Sequence, residues 1–455
     1  MKKIIMTITT TALLSSCGLY KSYERPTDIK TDGLYKTVIT NEQDSLGLAV
    51  YSWKEIFTDP NLQILIEKGL EQNTNLNNAR LQIEQAEAVL KAAKWAFIPG
   101  FAFAPQGSLA GVDWGKASQT YTIPVAASWQ IDVFGGLLNA KKRAKAQLEN
   151  SEAYKQAVQS QLVSAIANYY YSISMLKEQL SLSLQTEKLW KENVKTTQAL
   201  MEAGQSNKAA VSQTEANYYS ICTQIADLKD EIIILENEFS ALLGDTPQKY
   251  TIGSLNNWVS PQGISTGIPA IALSNRPDVK MAEQQLAIAY YATNESRAAF
   301  YPGINLSGAI GWTNQLGSTI VNPGKWIWNA AASLTQPIFQ NGRLRAQYKI
   351  SKAQQEQAKN SFQQKLLDAG TEVNNALTKV QTSIEKDELY GKQVSALETA
   401  VKSTQALMMN SSTNYLQVLT AQQTLLSAQM AQISNKFSQI QATIELYQAL
   451  GGGTK

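Results

Sequence analysis

The sequence predicts a mainly helical chain that also carries membrane β-strands and is built from an internal duplication. Motifs recur at a nearly constant distance, since Pro99-Gly100 returns 203 residues later as Pro302-Gly303 and Phe134 returns 205 residues later as Phe339. Long proline-free stretches show helical spacing of apolar residues, and shorter segments between them alternate apolar with polar residues. A separation that holds across unrelated local patterns indicates a duplicated structural unit.

Composition excludes several classes of function. The 455 residues carry 40 basic and 37 acidic side chains, so no basic face is available for nucleic acid. Histidine, the commonest metal ligand, is absent, and only two cysteines occur, Cys17 and Cys222, so neither a zinc cluster nor a disulfide framework can be assembled. Cys222 lies in an apolar helical pattern and is expected to pack as a small hydrophobe. We therefore expect no enzyme activity, no metal and no cofactor.

The amino terminus has the pattern of a bacterial lipoprotein signal. Lys2 and Lys3 precede a short apolar stretch, and residues 1–16 end in Leu-Ser-Ser before Cys17. This ending resembles a lipobox, which predicts that Cys17 is acylated and anchors the mature chain in a membrane. The alternative is an ordinary signal peptide followed by an incidental cysteine. No later run of 18 apolar residues occurs, so any further membrane crossing must use strands.

The predicted long helices cover residues 136–203 and 342–409. Each has 68 residues, which corresponds to about 100 Å at 1.5 Å per residue. Apolar residues spaced by threes and fours predict helical hairpins, with return helices that reverse near 204–207 and 410–412. Shorter helices are predicted near 60–98 and 276–300. Hairpins of such length lack an ordinary core and require neighbours, either each other or other chains.

Four predicted strands lie near 101–112, 119–133, 303–313 and 326–337. Their alternation gives each strand one apolar face, and tryptophans stand near the strand ends as they do at membrane interfaces. Pro124 argues against the second strand unless it needs no ladder bond there. A soluble hairpin with one buried face explains the same pattern. Four strands cannot close a membrane barrel, which needs at least about eight, so several chains would have to pool them.

Four motifs in chain order resemble the TolC-like outer-membrane efflux channels, and the lipobox favours the OprM-type lipoprotein branch. They cover the whole mature chain and lie at Ala127–Gly136, Asn275–Asp278, Leu334–Arg343 and Tyr415–Leu425. The resemblance implies a homotrimer with a twelve-stranded β-barrel in the outer membrane, four strands per chain, that continues into a long periplasmic α-helical barrel.

The resemblance also implies the function. Such a trimer would be the outer-membrane channel of a tripartite efflux system, a passive export duct for small molecules such as drugs. It would contact outer-membrane lipid, a periplasmic adaptor protein and an inner-membrane pump of the resistance-nodulation-division type. The alternative is a lipid-anchored periplasmic coiled-coil adaptor or scaffold without a pore, which leaves the paired alternating segments unexplained.

The same resemblance places a periplasmic gate at the helix tips, near residues 203–208 and 408–420. Many members carry acidic residues on the final helix, but this chain has Gln417 and Thr420 at the matching positions. An acidic, cation-attracting ring is therefore not expected. Tyr415, Asn410 and Asn414 are candidates for hydrogen bonds at the gate; alternatively, these three residues only cap and pack the turn. The gate candidates are Gln205, Asn207, Lys208, Asn410, Asn414, Tyr415, Gln417 and Thr420.

The predicted organisation follows from these elements. Residues 1–16 form the signal, 17–58 the anchor and an equatorial segment, 59–243 the first repeat, 244–270 an equatorial linker, 271–450 the second repeat and 451–455 the tail.

Overall fold

The computed structural model describes residues 20–26, 52–111, 113, 115, 117–259, 276–316, 319–409 and 415–453. In chain order the elements are α1 (Trp53–Ile56), α2 (Pro60–Gln72), α3 (Thr74–Trp95), β1 (Gly100–Phe103), β2 (Gln106–Ala110), β3 (Ser118–Ile131), α4 (Gly136–Glu202), α5 (Lys208–Leu243), a 3-10 turn (Leu255–Asn257), α6 (Pro277–Ala298), β4 (Gly303–Leu316), β5 (Thr319–Thr335), α7 (Arg343–Met409) and α8 (Tyr415–Ala449).

The chain divides into two compact units. The first, here called the sheet unit, comprises Met1–Lys30, Arg80–Ala153 and Lys280–Lys365. The second, the helical unit, comprises Thr31–Ala79, Tyr154–Val279 and Leu366–Lys455. Both units draw on both halves of the sequence, as an internal duplication requires.

The sheet unit contains one antiparallel sheet in the order β1-β3-β4-β5, with β2 also paired to β3. The prediction of a single strand over 101–112 is wrong, because the segment breaks at Ala104-Pro105 into β1 and β2. Both pieces pair with the same side of β3, so they fill one strand position. Ala104 N–H donates to the carbonyl of Pro124 at 3.3 Å. The backbone of Pro124 therefore faces the break, where its missing N–H costs no ladder bond.

The β4–β5 hairpin is longer than the alternation predicts. β4 continues to Leu316 rather than residue 313, and β5 begins at Thr319 rather than residue 326. Pairing persists to Leu316 opposite Thr319, beyond a register shift between Thr313 and Gln315. A shift of this kind interrupts the alternation and hides the outer part of the hairpin from a period-two pattern. Conversely, β3 ends at Ile131, two residues before the predicted limit.

The two faces of the sheet have opposite chemistry, as the alternation predicts. Cross-strand partners on one face are apolar along the sheet, and one row joins Val125 to Ile310 and Ile310 to Trp328. The other face carries pairs such as Ser128 with Ser307. Many of the apolar side chains are exposed: Phe101, Phe103, Leu109, Ile123, Val125, Trp129, Ile310, Trp326, Trp328 and Leu334. A broad exposed apolar surface of this kind indicates a lipid or protein partner.

Beside the sheet, α6 contacts both the start of α4 and the start of α7. Arg143 Nε donates to Glu295 Oε1 at 2.7 Å, and Thr293 Oγ1 donates to the carbonyl of Ser351 at 3.1 Å. The described amino-terminal residues lie along α6 as well, where Arg25 pairs with Glu283.

The core of the helical unit is apolar and lies among α2, α4, α5 and α8. Its fully buried side chains include Phe57, Leu62, Ile66, Ile166, Tyr170, Ile173, Phe239, Leu243 and Tyr447. A Cβ on Gly69 would lie 2.3 Å from the terminal Cδ1 of Ile166, so α2 and α4 approach each other closely at this residue.

The helix predicted near 60–98 is two helices, because Asn73 lies between α2 and α3. The Asn73 side chain accepts from Leu76 N at 3.1 Å and donates to the carbonyl of Leu242 at 2.9 Å. It therefore caps α3 and ties this corner to α5. Within the described residues, no helix combines the length and the apolar character needed to cross a membrane.

Candidate gate at the helix tips

The first tip joins α4 to α5 through a compact turn. Gly204 adopts a φ of 71°, and the N–H groups of Gln205 and Ser206 both donate to the carbonyl of Leu200, at 2.8 and 3.1 Å. Glycine is suited to this left-handed position, which ends α4. The Gln205 side chain is exposed. The turn predicted at 204–207 is therefore present, and it presents side chains outward on a well-bonded backbone.

Asn207 and Lys208 begin the return helix. The Asn207 Oδ1 accepts from Ala210 N at 3.0 Å, which makes Asn207 the amino-terminal cap of α5. Lys208 is the first residue of α5 and is exposed. Asn207 thus has a capping role in this turn.

The second tip is described only from Tyr415 onward. Asn410 and Asn414 lie outside the described residues, as do Cys17 and the turn predicted at 410–412, and of Tyr415 the structure gives only the backbone, at the start of α8. Gln417 and Thr420 are exposed on α8. Thr420 Oγ1 donates to the carbonyl of Leu416 at 2.9 Å, within its own helix. The candidates whose side chains the structure describes share an exposed position.

An apolar cluster lies behind the exposed tip residues. Its buried members come from three helices: Trp190 of α4, Ile221 and Ile225 of α5, and Leu419 and Leu426 of α8. Trp190 is 1% exposed and is the largest of them. The seam spacing of the sequence includes Ile221, Ile225 and Leu426. Trp190 and Leu419 emerge only from the packing of helices that are distant in sequence.

Two polar contacts near the tips escaped the sequence analysis. Asn193 Nδ2 donates to Gln422 Oε1 at 2.8 Å and joins α4 to α8. The buried hydroxyls of Thr197 and Thr214 lie 3.5 Å apart between α4 and α5. In the sequence, the only sign of these two contacts is that polar residues interrupt the apolar spacing of the long helices. The Asn193–Gln422 hydrogen bond therefore links two tip helices, whereas each threonine hydroxyl donates at 2.8 Å to a carbonyl of its own helix.

The tip segments are electrically near neutral. Between residues 195 and 215 two lysines balance two glutamates, and Lys402 is the only charged residue between Glu398 and Lys436. The described part of the chain holds no cluster of three or more His, Cys, Asp or Glu residues that could bind a metal. A neutral tip can select by size and hydrogen bonding but exerts little pull on ions.

A second polar centre, around Arg276, ties the second repeat to the carboxyl-terminal segment. The guanidinium donates to both carboxylate oxygens of Asp278, to Glu372 at 2.5 Å and to the carbonyl of Ala449 at 2.7 Å. Burial opposes its charge, but the hydrogen bonds with the two carboxylates outweigh burial and raise the pKa of Arg276. Ser160 Oγ also donates to the carbonyl of Gly452 at 2.5 Å.

Comparison with known families decides what this architecture is. The family model of the outer membrane efflux protein matches residues 65–245 and 268–452, which together cover most of the chain. The chain belongs to the outer membrane efflux protein family. Among its curated relatives, the cation efflux system protein CusC of Escherichia coli strain K12 is 27% identical over 97% of this chain and 97% of CusC. The toluene efflux pump outer membrane protein TtgI of Pseudomonas putida is 26% identical over 97% and 96%.

Solved structures agree in fold. The crystal structure of CusC superposes with a TM-score of 0.82 at 25% identity and covers 95% of this chain and 99% of CusC. The open state of the Neisseria gonorrhoeae MtrE outer membrane channel superposes with a TM-score of 0.85 at 25% identity, over 96% and 98%. The predicted fold class is confirmed: a mainly helical chain of the outer-membrane efflux channels, with an antiparallel membrane sheet.

The predicted function is confirmed at the level of the family. This efflux protein is an outer-membrane efflux channel, located in the outer membrane and extending into the periplasm. The relatives give no support to the alternative of a poreless scaffold. Members of the family are transport proteins rather than enzymes.

Proposed function

We propose that three copies of this efflux protein form a passive duct that receives its cargo from a periplasmic adaptor and an inner-membrane pump of the resistance-nodulation-division type. The chain itself would catalyse no reaction and hold no cofactor. The proposal rests on the open sheet of a single chain. This sheet has one apolar face and two edges that, within the described residues, pair with no further strand.

One copy cannot seal a membrane. Its strands fill four positions, and within the described residues nothing pairs with the outer edge of β5 or with the outer edges of β1 and β2. Backbone groups at an open edge have no hydrogen-bond partner in hydrocarbon, and closed membrane barrels need at least about eight strands. Three copies would bring twelve strand positions, which is within the range of closed barrels with a lumen.

Acylated Cys17 would anchor each copy beside the sheet. Tyr20 lies three residues after Cys17 and packs on Gly135. A Cβ atom placed on this glycine would lie only 3.2 Å from the tyrosine ring. Three extended residues span only about 10 Å. The acyl chains would therefore enter the membrane close to the end of β3, where the strand passes into α4.

Neutral tips support a duct that does not choose its cargo by charge. CusC carries a name for cation efflux and TtgI a name for toluene efflux, so relatives of similar identity serve unlike cargo. The exposed amides and hydroxyls of Gln205, Gln417 and Thr420 would close the periplasmic end by hydrogen bonds between tips, together with Asn207, Lys208, Asn410, Asn414 and Tyr415. Selection of cargo would then rest with the pump.

The channel is tested by the mass of the detergent-solubilised complex and by conductance in planar bilayers. We expect the complex to have three times the mass of a single chain and to give discrete conductance steps. Ile310→Arg should abolish insertion, because a lipid-facing arginine costs about 2–4 kcal/mol near the bilayer midplane. Ser307→Arg, on the polar face of the same strand, is the matched control. A monomeric chain without conductance would contradict the proposal.

The gate is tested by replacing Tyr415 and Gln417 with alanine. Loosened tips should raise the conductance and the entry of large antibiotics into cells. Gln423→Ala, an exposed change two turns along α8, serves as the control. Unchanged conductance with lowered thermal stability would show that these residues pack the turn and do not close the duct.

A further inference from the structure

The two repeats differ sharply in burial at the turn that joins a strand to a long helix. In the first repeat every residue from 131 to 144 is buried or half-buried. In the second repeat most residues from 336 to 347 are exposed. Related sequences with unequal burial indicate that the second turn lacks a partner that the first turn finds within its own chain.

The first turn has two partners within its own chain: Tyr20, whose ring lies 3.2 Å from a Cβ placed on Gly135, and the end of α6. The ring of Phe134 stacks on Tyr301, with ring centroids 5.0 Å apart and planes inclined by 11°. One residue into α4, a Cβ on Gly136 would come within 3.8 Å of the Cβ of Ala298. The turn is therefore held against the helix that leads into the adjacent strand, β4.

The second turn is open at the corresponding place. Ile338 is 96% exposed and Phe339 is 80% exposed. Gly342 (φ 77°) directly precedes its long helix, as Gly135 (φ 74°) does in the first repeat, and a Cβ on Gly342 would meet no atom within 4 Å. Ile338 and Phe339 border a groove of about 290 Å³ that Phe300 and Leu344 complete. Two large apolar side chains with this much exposed surface indicate an apolar binding partner.

The repeat itself identifies that partner. Ala126-Ala127-Ser128, six residues before Phe134, matches Ala331-Ala332-Ser333, six residues before Phe339. Phe300-Tyr301-Pro302-Gly303 matches Phe97-Ile98-Pro99-Gly100. The counterpart of Tyr301 is thus Ile98, and the counterpart of Ala298 is Trp95. Both are exposed apolar residues, at 60% and 61%.

These partners cannot come from the same chain. In the order β1-β3-β4-β5, β1 follows Ile98 and lies three strand positions from β5, which precedes Phe339. That separation corresponds to about 14 Å at roughly 4.8 Å per strand. The strand beyond the outer edge of β5 in a closed barrel would be β1 of the next copy, just as β4 lies beside β3.

We propose that the Ile338–Phe339 turn of one copy packs on Trp95 and Ile98 of the neighbouring copy. The contact rests on the trimer of the proposed function and names the surface that joins its subunits. It repeats between chains the packing of Phe134 on Tyr301 within a chain. Trp95 is the repeat counterpart of Ala298, which approaches Gly136 in the first repeat. The contact is apolar, so it is expected to persist at high salt.

The test is disulfide crosslinking of the full-length lipoprotein in outer membranes, in a Cys222→Ser background. Phe339→Cys combined with Ile98→Cys should give covalent dimers and trimers after oxidation and denaturation, which reductant returns to monomer. Phe134→Cys with Tyr301→Cys is the matched control, and its crosslink should keep monomer size. A disulfide forms readily only between cysteines whose Cα atoms approach within about 7 Å.

The outcomes separate this inference from the proposed function. Monomer-sized product from the Phe339/Ile98 pair, in a complex whose native mass is threefold, overturns the contact and leaves the trimer standing. A wild-type chain of monomeric mass overturns the proposed function itself. If the double variant fails to assemble, a photoreactive residue at Ile98 in an otherwise wild-type chain decides the matter. Its adduct must map to residues 336–344 of another copy, and an adduct elsewhere refutes the contact.

Discussion

Trp190→Ala tests whether the apolar cluster behind the tips holds the three tip helices together. The indole is 1% exposed and packs with Ile221, Ile225, Leu419 and Leu426 from two other helices. Replacing a buried tryptophan by alanine costs about 3–5 kcal/mol, because transfer free energy and a cavity both contribute. We expect a loss of this size in the free energy of unfolding.

The assay compares denaturant unfolding of the purified protein with hydrogen exchange in the tip. Leu189→Ala is the matched control, since Leu189 is the preceding residue of α4 and is 62% exposed. Its effect should remain within about 0.5 kcal/mol. The backbone amides of residues 193–214 should exchange faster in Trp190→Ala than in the wild type, and at the wild-type rate in Leu189→Ala. Equal stability of the two variants, or faster exchange that spares the tip, would refute the role of the cluster.

Three further predictions follow from single contacts. Arg276→Lys should destabilise the protein by about 2 kcal/mol, because one ammonium cannot reproduce the fork of charged hydrogen bonds, and should speed proteolysis of the carboxyl-terminal residues. Lys68 donates a hydrogen bond to Asp245 that lowers the pKa of that carboxyl. The ion pair therefore contributes its full stabilisation above the pKa of about 4 that the carboxyl has in the unfolded chain, and loses it as pH falls through the lower pKa of the folded state. In Asp245→Asn, the free energy of unfolding should consequently fall less steeply as the pH is lowered. Gly311→Ala should block outer-membrane insertion, because its Cβ would lie 2.4 Å from the carbonyl oxygen of Ile123.

Each of these has a contrary outcome. Unchanged proteolysis of Arg276→Lys would show that other contacts hold the tail. An acid limb in Asp245→Asn that matches the wild type would place the titrating group elsewhere. Gly107→Ala is the control for the strand variant, since its Cβ would meet only the Thr120 carbonyl at 3.9 Å. Equal insertion of the two glycine variants would contradict the close approach at Gly311.

Periodicity predicted the elements that depend on local sequence. The helices over 136–202 and 343–409 have nearly the predicted limits, because no proline interrupts them and glycine or polar residues end them. The faces of the sheet also match, since alternation alone assigns Val125 and Ile310 to one side. These features need only the periods of a helix and a strand.

Features that depend on distant partners could not be predicted. Asn73 divides a helix because its amide reaches Leu242, which lies 169 positions away. The break between β1 and β2 follows from Pro105 and from Pro124 on the strand opposite. At the gate, Asn193 and Gln422 meet only once α4 and α8 are packed. Such contacts arise from tertiary packing, which local pattern does not contain.

The unequal borders of the sheet have a consequence for how copies associate. One border is a continuous strand of 17 residues, and the other consists of segments of four and five residues separated at a proline. A twofold dimer joins a surface to itself, whereas unlike surfaces join head to tail and, when the rotation closes, form a ring. The interruption at Pro105 also makes the short border a poor template for stray strands. Two unlike sheet edges thus favour a closed ring of chains over a twofold dimer and over open-ended aggregation.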